Sequence, residues 1–220
     1  KGLWEEISSG KRFVLLAGPC VIESEQICDE VASCLKELCE ELGILYVFKA
    51  SFDKANRTSA DSYRGPGITA GLSILERIGS RYDLPLISDV HLPEQATEFA
   101  EVLDILQIPA FLCRQTDLVQ AAARTGSIVN FKKGQFLSPH EMDRVVEKAT
   151  EVNNRQLMLT ERGTTFGYNN LVVDMRSIPI MKQLGYPVIF DATHSVQLPG
   201  AGGTCSSGQR EYAPLLARVA

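Results

Sequence analysis

Seven short apolar runs recur along the chain, and most close on a charged or metal-competent residue: Cys20, Lys49, Asp89, Gln107, Lys132, Arg162 and His194. That recurrence narrows the fold sharply. The runs predict strands at Phe13–Ala17, Leu45–Ala50, Leu86–Val90, Ile105–Ile108, Ser127–Lys132, Gln156–Thr160 and Val188–Ala192, with helical patterns between them. Continuous apolar strands separated by helices describe a parallel α/β sheet covered on both faces. In a (β/α)8 barrel the chemistry gathers at the C-terminal ends of several strands, so polar residues closing apolar runs converge on one site. A doubly wound open sheet has the same alternation, but its glycine fingerprint should join the first strand to the first helix. Here that junction reads Ala17-Gly18-Pro19-Cys20, which does not match a dinucleotide cradle.

The helices are read from their apolar stripes. Leu35, Leu38, Cys39 and Leu42 are expected to share one face within Glu25–Leu42, and Val145, Val146 and Ala149 another. Cys28, Cys34 and Cys39 fall in the first of these helices, so the six cysteines read as small apolar residues and reduced thiols rather than a disulfide framework. Residues 1–12, including Trp4, are expected to form an N-terminal extension that packs across the barrel bottom or dangles, and 13–220 the barrel itself. A final helical pattern occupies Glu211–Ala220, leaving no eighth strand, so the barrel is expected to be incomplete at its C-terminal end.

With 220 residues, 45% of them hydrophobic, one domain with a substantial core is expected. A formal charge of −5 argues against a general nucleic-acid surface. The sequence offers neither a bilayer-length apolar stretch nor a signal-peptide centre, so no membrane association and a cytoplasmic setting are expected.

Positive charge is nevertheless concentrated where it matters. The segment Phe48 to Ser59 carries Lys49, Lys54 and Arg57 with Asn56 and hydroxyl residues directly after a strand, a composition suited to phosphate and carboxylate. Lys132 and Lys133 close another strand. Only one of two adjacent residues can face the barrel mouth, and Lys132 is the expected one. Arg162 and Arg114 lie beyond two further strands, and together these cations predict a polyanion site. Cys20 and His194, distant in sequence, become neighbours once a barrel curls, and a thiolate with an imidazole can hold a divalent transition metal. His140 reads as a surface residue at a helix start, and His91 as a rim residue or a partner of Asp89. Glycine-, serine- and threonine-rich loops at Thr58–Gly71 and Leu198–Gln209 are long enough to act as lids.

Ala17 to Ser24, Phe48 to Arg57, Tyr63-Arg64-Gly65-Pro66-Gly67, Ile108 to Asp117, Lys132 to Phe136, Thr160 to Asp174 and Asp191 to Pro199 together resemble the 3-deoxy-D-manno-octulosonate 8-phosphate synthases over nearly the whole chain. That resemblance implies a TIM barrel that condenses phosphoenolpyruvate with D-arabinose 5-phosphate, releases phosphate, and feeds Kdo and lipopolysaccharide synthesis. It implies that Lys49, Lys54, Gln107, Lys132 and Arg162 bind phosphoenolpyruvate. Asn56, Arg57, Ser59 and Asp89 would bind arabinose 5-phosphate, and Arg114 would reach the sugar phosphate of a neighbouring subunit in a homotetramer. Cys20 in place of asparagine implies the metal-dependent form, with Cys20 and His194 as ligands to manganese, iron, zinc, cobalt or cadmium, and Lys54 assisting proton movement.

In relatives a glutamate and an aspartate after the last helix complete the metal set, and these are not among the residues here. One rival reading is the related 3-deoxy-D-arabino-heptulosonate 7-phosphate synthase, which uses erythrose 4-phosphate and typically carries Lys-Pro-Arg where this chain has Lys54-Ala55-Asn56-Arg57. The other is a sugar-phosphate-binding protein without turnover.

Overall fold

The computed structural model describes residues 2–57, 61–200 and 207–220. After a short helix α1 (Leu3–Ser8), strands and helices alternate: β1 (Val14–Ala17), α2 (Glu25–Glu41), β2 (Leu45–Lys49), α3 (Ile68–Tyr82), β3 (Leu86–Asp89), α4 (Gln95–Ala100), β4 (Ile105–Ile108), α5 (Thr116–Arg124), β5 (Ile128–Lys132), α6 (Met142–Thr150) and β6 (Leu157–Glu161). A two-stranded hairpin, β7 (Thr164–Thr165) with β8 (Leu171–Val172), precedes α7 (Ser177–Lys182) and β9 (Val188–Phe190). The chain then forms a second small ladder, β10 (Gln197–Leu198) with β11 (Ser207–Gly208), and α8 (Ala213–Val219). The main sheet runs β1-β2-β3-β4-β5-β6-β9, and every pairing in it is parallel. All seven expected strands are present, shifted by no more than two residues at an end.

Strand alternation explains why these runs are apolar throughout. On one side, Leu45, Val47, Ile87, Ile105, Ile128 and Met158 fill the interior of the curled sheet, joined by Val14, Leu16 and Ile189. Ile7, Leu3 and Trp4 of α1 join that same cluster, so the N-terminal segment closes the bottom of the barrel. Successive residues on the other side, including Tyr46, Phe48, Leu106, Ile108, Val129, Phe131, Leu157 and Leu159, pack against the helices. Burying both faces requires apolar residues at consecutive positions.

The stripe of α2 differs from expectation. Cys28, Ala32 and Cys39 are its buried residues, with Leu35 packed beside them, whereas Leu38 and Leu42 are exposed. Spacings of four, three and four keep 28, 32, 35 and 39 on one face of a 3.6-residue helix, while Leu38 lies a full residue step around it. Val145 and Ala149 of α6 are buried as expected. The five described cysteines are free, and Cys205 lies outside the described residues. His140 is exposed in a single 3-10 turn before α6. No helix among the described residues is long and apolar enough to cross a membrane.

Candidate active site

A cavity of about 400 Å³ opens at the C-terminal ends of the strands. Lys49 closes β2, Lys132 closes β5, and Arg162 follows β6, all three lining it with Lys54, Asn56 and Arg57 from the loop after β2. Cys20, Asp89, Gln107 and His194 line it as well. Curling of the sheet brings the two ends of the sequence together here: Cys20 Sγ lies 4.0 Å from His194 Nε2.

The interior above the apolar layers is a directed chain of hydrogen bonds. Thr160 Oγ1 donates to Asn130 Oδ1 at 2.7 Å, Asn130 Nδ2 to Gln107 Oε1 at 3.0 Å, and Gln107 Nε2 to Asp89 Oδ1. From the opposite side Ser51 Oγ donates to Asp89 Oδ2 at 2.6 Å and accepts from Lys54 Nζ at 2.9 Å. Both arms end on Asp89, whose carboxylate is 4.0 Å from Lys54 Nζ. Burial opposes ionisation of Asp89, but Lys49, Lys54 and the two hydrogen bonds outweigh it and hold the carboxyl below its usual range. Asp89 and Gln107 therefore line the cavity while directing their hydrogen bonds to this chain, and the visible effect is to fix Lys54.

A second anion balances the other cations. Asp191 Oδ2 is 2.6 Å from Lys132 Nζ and 2.7 Å from His194 Nδ1. Despite that closeness, His194 Nδ1 makes no hydrogen bond among the described residues. Despite burial, Lys132 and His194 keep Asp191 ionised far below the ordinary carboxylate range. Lys132 is itself lowered, first by burial and then by the positive charges of Lys49 and Arg162, with Asp191 opposing. Arg162 Nη2 donates to Gln197 Oε1 at 2.8 Å, while its Nε and Nη1 are buried without a partner among the described residues. Buried guanidinium donors left unpaired beside other cations mark a place for an anion.

Cys20 and His194 suit a soft divalent metal. With bonds of about 2.3 Å to sulfur and 2.1 Å to nitrogen, tetrahedral coordination separates the two donor atoms by about 3.6 Å, near the 4.0 Å seen here. A carboxylate beside the far ring nitrogen is the usual orienting partner of a metal-bound histidine, and Asp191 occupies that position. Among the described residues no third histidine, cysteine or carboxylate completes the set. The hydrogen bond from His194 is the main cause that pushes the Cys20 thiol down to about 6. Burial opposes it, and Lys54 and Lys49 contribute.

Arg114 does not line this cavity; it is exposed on the loop after β4. Ser59 lies outside the described residues. His91, expected either at the rim or beside Asp89, lines the cavity with its ring centroid 5.2 Å from that of Phe52, and burial holds its pKa down. The role of Asp191 was not picked out from the sequence, although Ile189 and Asp191 alternate onto the same inner face, a signal available in the strand pattern.

A curled parallel sheet of seven strands, a TIM-like barrel without its last strand, whose strand ends deliver lysines and an arginine into one cavity defines an enzyme acting on small, multiply charged anions. The DAHP synthetase I family model matches residues 5–218, and the chain belongs to that family. It is 61% identical over 207 residues to a 2-dehydro-3-deoxyphosphooctonate aldolase of Fusobacterium nucleatum subsp. nucleatum, covering 94% of this chain and 74% of the relative. Proteins of the same name from Desulfatibacillum aliphaticivorans and a Cyanothece species are 58% and 56% identical over 214 residues, covering 97% of this chain and 78% of each relative.

Proposed function

We propose that this enzyme condenses phosphoenolpyruvate with D-arabinose 5-phosphate and water, giving 3-deoxy-D-manno-octulosonate 8-phosphate and phosphate. The observation that carries the reading is the convergence of Lys49, Lys54, Lys132 and Arg162 on one cavity, in a chain closely similar to the 2-dehydro-3-deoxyphosphooctonate aldolases.

Arg162 and Lys132, backed by Lys49, grip the phosphate and carboxylate of phosphoenolpyruvate, whose charges match the unpaired donors of Arg162. Asn56 and Arg57, with Ser59, take the sugar phosphate. Carbon 3 of phosphoenolpyruvate attacks the sugar aldehyde, water adds at carbon 2, and the C–O bond to phosphate breaks as phosphate leaves. Lys54 is placed to move a proton, its ammonium held by Ser51 and Asp89. Cys20 and His194 would hold a divalent cation, which when bound supplies Lewis acidity at the cavity mouth. Arg114, outside its own cavity but on the same rim, serves a neighbouring subunit in a homotetramer. The exposed Phe111 and Phe136 on nearby loops favour such a partner.

Phosphate release from phosphoenolpyruvate with added manganese tests the reading. Release that requires arabinose 5-phosphate supports it, and release that requires erythrose 4-phosphate reassigns the acceptor. Binding of phosphoenolpyruvate with no release under any metal condition supports a non-catalytic role instead.

A further inference from the structure

Directly behind the anion-gripping face of β5 and β6 lies a second charged pair that faces away from the cavity. Neighbouring residues of a strand point to opposite sides, so Lys132 and Arg162 enter the barrel while Lys133 and Glu161 enter the layer beneath the helices. Both are buried, Lys133 at 0% and Glu161 at 1% exposure. Two well-packed apolar side chains would serve stability in that layer at least as well as an ion pair. The pair's hydrogen bonds indicate what it does instead.

Glu161 Oε1 accepts the backbone N–H of Arg162 at 2.9 Å and of Gly163 at 2.6 Å. The chain turns sharply there, with Gly163 at φ +90°. Lys133 Nζ stands 3.6 Å from that same oxygen and donates to Leu137 O at 3.2 Å and Thr164 Oγ1 at 3.0 Å. One ammonium thereby joins the loop after β5, the carboxylate that closes β6, and the start of β7. The backbone so fixed belongs to Arg162, whose Nε and Nη1 are buried without a partner among the described residues.

We infer that Lys133 and Glu161 form a positioning pair that sets the backbone at Arg162 and Gly163 and so aims the free edge of the Arg162 guanidinium at its anion. This rests on reading the cavity as a phosphoenolpyruvate site. Lys133 also neutralises Glu161. Without it, a bare carboxylate adjacent to Arg162 competes with the ligand for the same guanidinium.

The test uses the full chain with Lys133→Met, Lys133→Arg, Glu161→Gln and the double variant Lys133→Met with Glu161→Gln. Binding of inorganic phosphate and of phosphoenolpyruvate is followed by titration calorimetry, alongside melting and steady-state rates. Lys133→Met is expected to weaken both anions about tenfold and raise KM for phosphoenolpyruvate alike, with KM for arabinose 5-phosphate within about twofold. Lys133→Arg recovers part of the loss, and the double variant binds better than Lys133→Met because the stranded carboxylate is gone. Should Lys133→Met not fold, Glu161→Gln decides the matter, since it keeps the shape and removes the charge. Variants that melt lower but bind and turn over like the wild type overturn the inference, leaving the pair a structural tie only. A wild type that binds phosphate but neither binds nor consumes phosphoenolpyruvate refutes the substrate reading, while the variant-to-wild-type ratio for phosphate still decides the inference. A wild type that binds neither anion overturns both.

Discussion

Replacing Gly18 by alanine tests how closely the first two strand ends must approach for the site to form. A Cβ built at Gly18 falls 2.1 Å from the carbonyl oxygen of Lys49 and 3.0 Å from its carbonyl carbon, whereas ordinary van der Waals contact begins at 3.4 Å. One segment must therefore retreat by about 1.3 Å to reach ordinary contact distance. Neither can do so without consequence: Lys49 is held in the ladder opposite Ile87, and the Gly18 loop leads into Cys20 two residues on. Overpacking of this kind costs about 1–3 kcal/mol, a fall in melting temperature of about 2–12 °C for a chain of this length. Because Lys49 and Cys20 both line the cavity, a displacement of about 1 Å is expected to lower kcat/KM about a hundredfold. Scanning fluorimetry and the phosphate-release assay read the two effects. Gly2→Ala, which meets nothing within 4 Å, is the control. A Gly18→Ala variant with wild-type melting and rate would refute the reasoning.

In metal-free protein, alkylation of Cys20 by iodoacetamide should rise with a midpoint near pH 6, and His194→Gln should return the midpoint toward the ordinary thiol range. A folded pKa below the unfolded value of 9.0 means this group's contribution to stability is full above about pH 9 and is lost as pH falls to about 6. Asp89→Asn removes the charge opposite Lys54 and cannot accept equally from Ser51 and Gln107, so kcat should drop about tenfold or more, while unchanged kcat would remove Lys54 from proton movement. Asn154, buried with bonds to the carbonyls of Ala123 and Ser127 and from the N–H of Gln156, lies at the opposite end of β6 from the cavity. Asn154→Ala should cost about 2–3 kcal/mol in chemical denaturation, with activity per folded molecule unchanged.

Much of the architecture was legible because the strand runs carry their own signal. Apolar residues at consecutive positions, bounded by turns and helical stripes, predicted seven parallel strands and placed their polar ends at one rim. The cation set was legible for the same reason, since Lys49, Lys132 and Arg162 each end or follow a run. Helix faces were less so: the α2 stripe was displaced because Leu38 and Leu42 are apolar yet exposed, and composition alone does not say which of two overlapping apolar stripes meets the sheet. Arg114 shows the same limit at the site, being a cation after a strand whose loop directs it out of this chain's cavity.

The elements, the parallel order implied by their alternation, and the chemical character of the rim were all readable from residue order, because each depends on spacings within a few residues. Which side chains pair with which depends on the folded arrangement. That Asp191 balances Lys132, that a chain of hydrogen bonds from Thr160 ends on Asp89, and that Lys133 turns away to meet Glu161 are contacts between different strands, 18 or more residues apart in sequence. Their partners are chosen by register and by the curl of the sheet. Charge buried at low dielectric tolerates few alternative arrangements, so those choices set which cations remain available to a ligand.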